Sequence, residues 1–155
     1  MKAIFVESAN GYMATSACDD MLWTPTIDKK IFRLLTTFGS GICVCSKHTY
    51  SLLPPKMVFD PARKFIVAEK TGSKSLPALN NVYPDAILIG GPAFIKVAYN
   101  MSILDTIIVS TTKGTISENQ KYKNPLIENL KNPVAQIDFG DIIVRVYKQQ
   151  HGVQK

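Results

Sequence analysis

This sequence predicts an α/β fold: a three-layer arrangement with a mixed, mostly parallel sheet, helices on both faces and an antiparallel C-terminal strand. Three observations predict it. Short, nearly unbroken runs of Val, Ile and Leu recur along the chain, too apolar for a sheet with one face in water. Segments with apolar residues at helical spacing alternate with them. The last run, DIIVRVYK (Asp141–Lys148), mixes polar and apolar residues more than the others, as an antiparallel edge or hairpin strand does. At 155 residues, 46% hydrophobic and 19% charged, the chain is expected to fold as one ordered domain over residues 1–155.

The elements follow in order. KAIFV (Lys2–Val6) is a β-rich run closed by the turn pair Asn10-Gly11. Thr24-Pro25 marks a helix start, with Thr24 as N-cap and proline at the first helical position. Ile27, Ile31, Leu34, Leu35 and Phe38 then recur at helical spacing until Gly39 and Gly41 stop the run. ICVC is a second strand, His48–Leu53 a short helix ending at Pro54-Pro55, and KFIVA (Lys64–Ala68) a third strand. AILIGG (Ala86–Gly91) is a fourth strand, AFIKVAYN after Pro92 a helix, and DTIIVST (Asp105–Thr111) a fifth strand. Lys113–Lys123 reads as loop or edge.

Composition removes several classes. No apolar run approaches the ~20 residues that span a bilayer, so no membrane association is expected. The N-terminal apolar run meets Glu7 after four residues, too short for a signal-peptide core. Cys18, Cys43 and Cys45 are an odd count; Cys43 and Cys45 alternate on a strand as small apolar fillers. With His48 and His151 the only histidines, no metal site is expected, and a reducing cytoplasmic location fits. Eighteen Lys+Arg against twelve Asp+Glu give a net charge of +6, which favours anionic partners without naming them. The lysines scatter over loops with no aromatic-interleaved basic stripe, so nucleic acid is not an expected partner.

Ligands of open α/β sheets lie at the carboxyl ends of strands, and four such loops carry informative residues. Asp28, Phe32 and Leu35 share a helix face offset from the Ile27/Ile31/Leu34 stripe. A carboxylate there suits the paired N–H edge of a flat heterocycle, and equally complements the helix dipole in its first turn. Ser46-Lys47-His48-Thr49 runs from a strand end into a helix start, where it either holds a pyrophosphate or merely caps the helix. Ile89-Gly90-Gly91-Pro92 lets a backbone approach a ligand, or makes a tight strand–helix turn. Arg63 stands at a strand's start, placed to clamp a carboxylate or to remain a solvated turn residue.

In order, Trp23-x4-Asp28-x3-Phe32, Lys47-His48-Thr49-Tyr50, Pro61-x-Arg63-Lys64, Ile89-Gly90-Gly91 and Asp105-x-Ile107-Ile108-Val109-Ser110 resemble dihydrofolate reductases over residues 1–111 and the terminal strand pair. The resemblance implies an NADPH-dependent enzyme that reduces 7,8-dihydrofolate to tetrahydrofolate and supports one-carbon metabolism. It implies catalytic roles for Asp28, for Trp23 through Asp28's water network, and for Ser110 beside the acid. Phe5, Phe32, Leu53, Ile89 and the neighbouring Glu7 would line the substrate, with Arg63 on its glutamate tail. Met21, Ser46, Lys47, His48, Thr49, Lys70, Gly90, Gly91, Pro92 and Ala93 would bind NADPH. The protein is expected to be a monomer.

The sequence departs from that family at several places. Glu7 stands where a small residue is expected, SANGYMATSACDD is unlike the usual nicotinamide loop, and Ser46 replaces a glycine. Ile95 stands where an aromatic is expected, and Glu69 opposes Lys70 at the 2′-phosphate position, leaving NADPH against NADH open. A second resemblance is to the riboflavin-biosynthesis pyrimidine reductases of the same fold, through Ser8-Ala9-Asn10-Gly11-Tyr12-Met13-Ala14 and Gly90-Gly91-Pro92-Ala93. A third reading keeps the fold as a ligand-binding or structural protein without turnover.

Overall fold

In a computed structural model, described over residues 1–149, the strands are β1 (Lys2–Glu7), β2 (Ile42–Cys45), β3 (Lys64–Val67), β4 (Ile87–Leu88), β5 (Thr106–Thr112), β6 (Ala135–Asp138) and β7 (Ile142–Lys148). The helices are α1 (Thr26–Thr37), α2 (Lys47–Leu52), α3 (Pro55–Val58), α4 (Leu76–Val82) and α5 (Pro92–Asn100). His151 lies outside the described residues.

The seven strands form one sheet in the order β3-β2-β4-β1-β5-β7-β6. Strands β1 to β5 are mutually parallel, and β7 alone runs against its neighbours β5 and β6. The fold class read from the sequence is therefore the observed one. DIIVRVYK is antiparallel and in a hairpin, as expected, but β6 rather than β7 takes the edge. β6 does not stand out in the sequence because Ala135 and Ile137 are the only apolar residues of a four-residue strand, and all four residues are exposed.

Connections leaving β1 and β2 run toward β3, whereas those leaving β3 and β4 run the opposite way, toward β5. Right-handed crossovers thus put α1 to α3 on one face and α4 and α5 on the other. Two apolar clusters record this. Ala3, Phe5, Val44, Leu88, Ile107 and Val109 meet Leu76 and Leu79 of α4 and Ile95 and Ala98 of α5. Ile4, Cys45, Ile87 and Ile89 meet Phe32 and Leu35 of α1, with Leu53 and Ile108. Strand alternation sorts neighbouring residues to opposite faces, so β1 sends Ile4 one way and Phe5 the other.

Two local expectations are corrected. α1 begins at Thr26 with Pro25 as N-cap, because the Thr24 hydroxyl is spent on the Met21 carbonyl at 2.8 Å. The α1 face turned to the sheet carries Asp28, Phe32 and Leu35, while Leu34 and Phe38 of the apolar stripe are exposed. Among the described residues, no helix is long and apolar enough to cross a membrane.

Candidate functional site

Asp28 sits in the first turn of α1 and is 8% exposed. It projects toward the face that carries Phe32, Leu35, Ile4 and Ile89. Ser110 near the end of β5 is buried and stands beside Asp28, where its hydroxyl favours the charged carboxylate. Register explains the meeting: Ser110 pairs with Val6 on β1 and shares the parity of Ile108, which packs in the α1-side cluster. Burial pushes the Asp28 pKa up, and the nearby Lys29 ammonium and the Ser110 hydroxyl only partly offset it. Lys29 is itself turned to the Thr24 carbonyl and hydroxyl, both at 3.0 Å. A buried carboxyl with a raised pKa, beside a hydroxyl and apolar walls, can accept paired N–H groups or hold a proton for a ligand.

The structure gathers Asp28, Phe32, Leu53, Ile89 and Ser110 on this face. It separates Phe5 and Glu7 from them. Phe5 belongs to the α4/α5 cluster, on the opposite side from Phe32. Glu7, two residues on in the same strand, faces the same way as Phe5. It accepts hydrogen bonds from Thr111 Oγ1 at 3.1 Å and from Asn124 Nδ2 at 2.8 Å. It is therefore a tether for the segment around Asn124, not a second carboxylate beside Asp28.

Arg63 is engaged within the chain. Its Nε and Nη2 donate to Asp60 Oδ2 at 3.2 and 3.0 Å, its Nη1 donates to Thr36 Oγ1 at 3.1 Å, and its side chain is 5% exposed. The guanidinium also lies 5.9 Å from the Phe65 ring. These contacts pin the end of α1 to the turn before β3.

Trp23 donates its indole N–H to Asp19 Oδ2 at 2.9 Å. Asp19 also accepts from the Thr15 backbone and hydroxyl and from the Met21 N–H. Burial works to raise the Asp19 pKa, but these hydrogen bonds outweigh it and the net shift is downward. Asp19 is thus the hub that shapes residues 15–23 and holds Met21 at a left-handed φ of 59°. No periodic pattern in the sequence marks it. Its signal was the Asp19-Asp20 pair in a polar loop, where aspartates commonly accept from backbone two residues on.

The phosphate candidates are mixed. Ser46 caps α2, accepting from the Thr49 N–H at 3.2 Å, and its hydroxyl also meets Thr49 Oγ1 at 3.2 Å. Lys47, His48 and Lys70 are exposed, and the His48 Nε2 sits 2.8 Å from the Ala17 carbonyl, joining α2 to the loop after β1. Gly90 has a φ of 142°, and a Cβ there would stand 3.0 Å from Thr49 Oγ1. Only glycine lets β4 and α2 approach this closely. Gly91 is the N-cap of α5, Pro92 opens the helix, and nothing lies within 4 Å of where a Gly91 Cβ would point. Buried Cys43 and Cys45 have thiol pKa values pushed by burial up to about 12 and about 11, which leaves them inert packing groups.

One open cleft of about 460 Å³ lies elsewhere, between α5 and residues 120–128, lined by Pro92, Ala93 and Lys96 on one side. No family model and no curated protein matches this chain. The site is therefore defined by its geometry: an acid with a raised pKa and a hydroxyl partner, at the end of a parallel sheet where the crossovers diverge.

Proposed function

We propose that the chain is an NADPH-dependent reductase of a flat, amide-bearing heterocycle, with dihydrofolate as the substrate its residue pattern resembles most. One observation carries this reading: Asp28 is buried on the apolar α1-side face with Ser110 against it and an upward-shifted pKa. Asp28 would accept the paired N–H edge of the ring and hold a proton near the reducible bond, with Ser110 orienting the carboxyl. Phe32, Leu53 and Ile89 would exclude water from the ring faces. NADPH, when bound, supplies the hydride. The open space before α5 at Gly91 and the exposed Lys47 and Lys70 fit a phosphorylated dinucleotide. The hydroxyls of Ser46 and Thr49 already serve the α2 cap.

A second reading, the pyrimidine reductase, is favoured by two observations. The Arg63 guanidinium is held by Asp60 and Thr36, so a substrate without a glutamate tail suits the site. The Ser8–Tyr12 turn is also well formed: Ser8 Oγ donates to Asn10 Oδ1 at 2.6 Å, and the Tyr12 N–H donates to Ser8 Oγ at 3.1 Å.

The test is NADPH oxidation followed by absorbance with dihydrofolate, with and without methotrexate, and separately with the ribosylamino-pyrimidine. Methotrexate-sensitive oxidation with dihydrofolate supports the first reading, and oxidation with the pyrimidine alone supports the second. Methotrexate binding without oxidation of NADPH by either substrate replaces both with a binding protein.

A further inference from the structure

The cleft between α5 and residues 120–128 is on the α4/α5 side of the sheet, away from Asp28. Three lysines line it, Lys96 from α5 and Lys121 and Lys123 from the facing segment, against the single carboxylate of Glu128. Among the described residues, no carboxylate comes within ion-pair distance of any of the three. Lys96 Nζ also lies 5.6 Å from the Tyr99 ring centroid. Three like charges facing one carboxylate still repel one another on balance, and an anion between them relieves that cost.

The cationic wall is held in place. The Met13 N–H donates to the Tyr122 carbonyl at 2.8 Å, and the Asn124 N–H donates to the Gly11 carbonyl at 2.8 Å. These bonds clamp Lys121–Asn124 onto the turn after β1 like an added strand. Asn124, 3% exposed, lines the cleft and is itself fixed by Glu7, while its Oδ1 accepts the Leu126 N–H at 2.9 Å. The opposite wall is the first turn of α5, where Ala93 has an N–H with no acceptor inside the helix.

We propose that this cleft is an anion site of the chain that takes a phosphate-bearing small molecule. It is an open cleft of about 460 Å³, not an enclosed pocket, so a ligand there is held by charge at one face while the rest of it stays in water. Lysine ammoniums are compact point charges that match the spread charge of a phosphate, and a helix N-terminus adds to them. No aromatic side chain lines the cleft, so bases have nothing to stack on and a single-stranded nucleic acid is not the occupant. The inference is independent of Asp28 chemistry, although Pro92 and Ala93 also belong to the cofactor site implied by the resemblance.

Inorganic pyrophosphate is the probe, titrated into the full chain at matched ionic strength and followed by amide ¹H–¹⁵N NMR. The expected result is saturable shifts confined to residues 93–96 and 120–124. The K121Q/K123Q double variant should bind about tenfold more weakly, roughly 1.4 kcal/mol. K30Q, on the exposed side of α1, should bind like the unmodified chain. Non-saturating shifts spread over all lysine-bearing segments, or unchanged binding by the double variant, overturn the proposal. A competition arm with NADPH identifies the source. Displacement of pyrophosphate assigns the cleft to a dinucleotide's phosphates, and simultaneous binding assigns it to a separate phosphorylated molecule. Because no turnover is read, failure here leaves the reductase reading standing, and the converse also holds.

Discussion

The two ends of α1 each meet a carboxylate, and their surroundings treat them oppositely. At the first turn, Asp28 is buried against apolar residues, has a hydroxyl partner, and shifts toward its neutral form. At the last turn, Asp60 faces the helix end from the turn before β3. The Ala62 N–H holds its pKa down, burial works against that, and the Arg63 and Arg33 guanidiniums lower it further. Asp60 is satisfied by the fold itself, whereas Asp28 has hydrogen-bonding capacity and a raised pKa that the fold does not use. That contrast is what separates a strut from a candidate catalytic acid.

The largest effect should come from removing the acid while keeping its shape. Asp28→Asn is expected to lower turnover with the active substrate by about 100-fold or more at neutral pH. NADPH affinity, read by fluorescence titration, should stay nearly unchanged. Undiminished turnover in this variant would erase the difference between the two ends.

At the other end, Arg63→Met leaves Asp60 with only the Ala62 N–H and the exposed Arg33, and removes the donor to Thr36. The melting temperature should fall by about 5–10 °C, with no change in the shape of the pH–rate profile. A shifted profile would mean that Arg63 acts on the chemistry as well as on the fold.

Gly90→Ala probes the junction that brings α2 against β4. A side chain at φ 142° is strained, and its Cβ would press on Thr49 Oγ1. The expected cost is about 1–3 kcal/mol in urea denaturation. Adding Thr49→Ala should recover part of it, because the contact is relieved but the backbone strain is not.

The smallest effects are in pH dependence, and they have opposite signs. Asp28 binds its proton more tightly folded than unfolded. Its contribution to stability is therefore full below 3.8 and is lost as pH rises through the raised folded value. Asp60 and Asp19, with folded pKa values below 3.8, contribute stability above 3.8 that is lost as pH falls through the folded values. Melting curves from pH 3 to 7 should show Asp28→Asn more stable than the unmodified chain at pH 7, converging with it at pH 3. Asp60→Asn should instead lose most at pH 7. The same sign for both variants would break the comparison.

Much of this was legible in the residues. Val/Ile/Leu runs alternating with helical patterns specify a covered parallel sheet, and the i, i+4, i+7 spacing of Asp28, Phe32 and Leu35 already placed an acid on one apolar helix face. Asp28 could be picked out because its helix is strongly patterned, whereas Ser110 entered only through the resemblance carried by Asp105–Ser110. Asp19 and Asn124 could not, since both organise loops through hydrogen bonds to residues whose positions no periodicity specifies. Leu34 and Phe38 misled in the other direction: an apolar stripe on α1 points to solvent because the sheet meets the adjacent face.

By itself, the sequence determined the order of the apolar strands and of α1, α2 and α5, the glycine at the β4–α5 turn and the face that Asp28 shares with Phe32. Those follow from short-range sterics and from 3.6- and 2-residue periods, which a linear chain carries with it. The elements α3, α4 and β6 carry patterns too short to stand out. Only the tertiary structure decided which side of the sheet each strand residue meets. That choice set Phe5 and Glu7 apart from Asp28, gave Arg63 its partners inside the fold, and gathered three lysines from segments some 25 residues apart around one cleft. The physical reason is that strand order and crossover direction are settled by long-range packing, whose partners are distant in the chain.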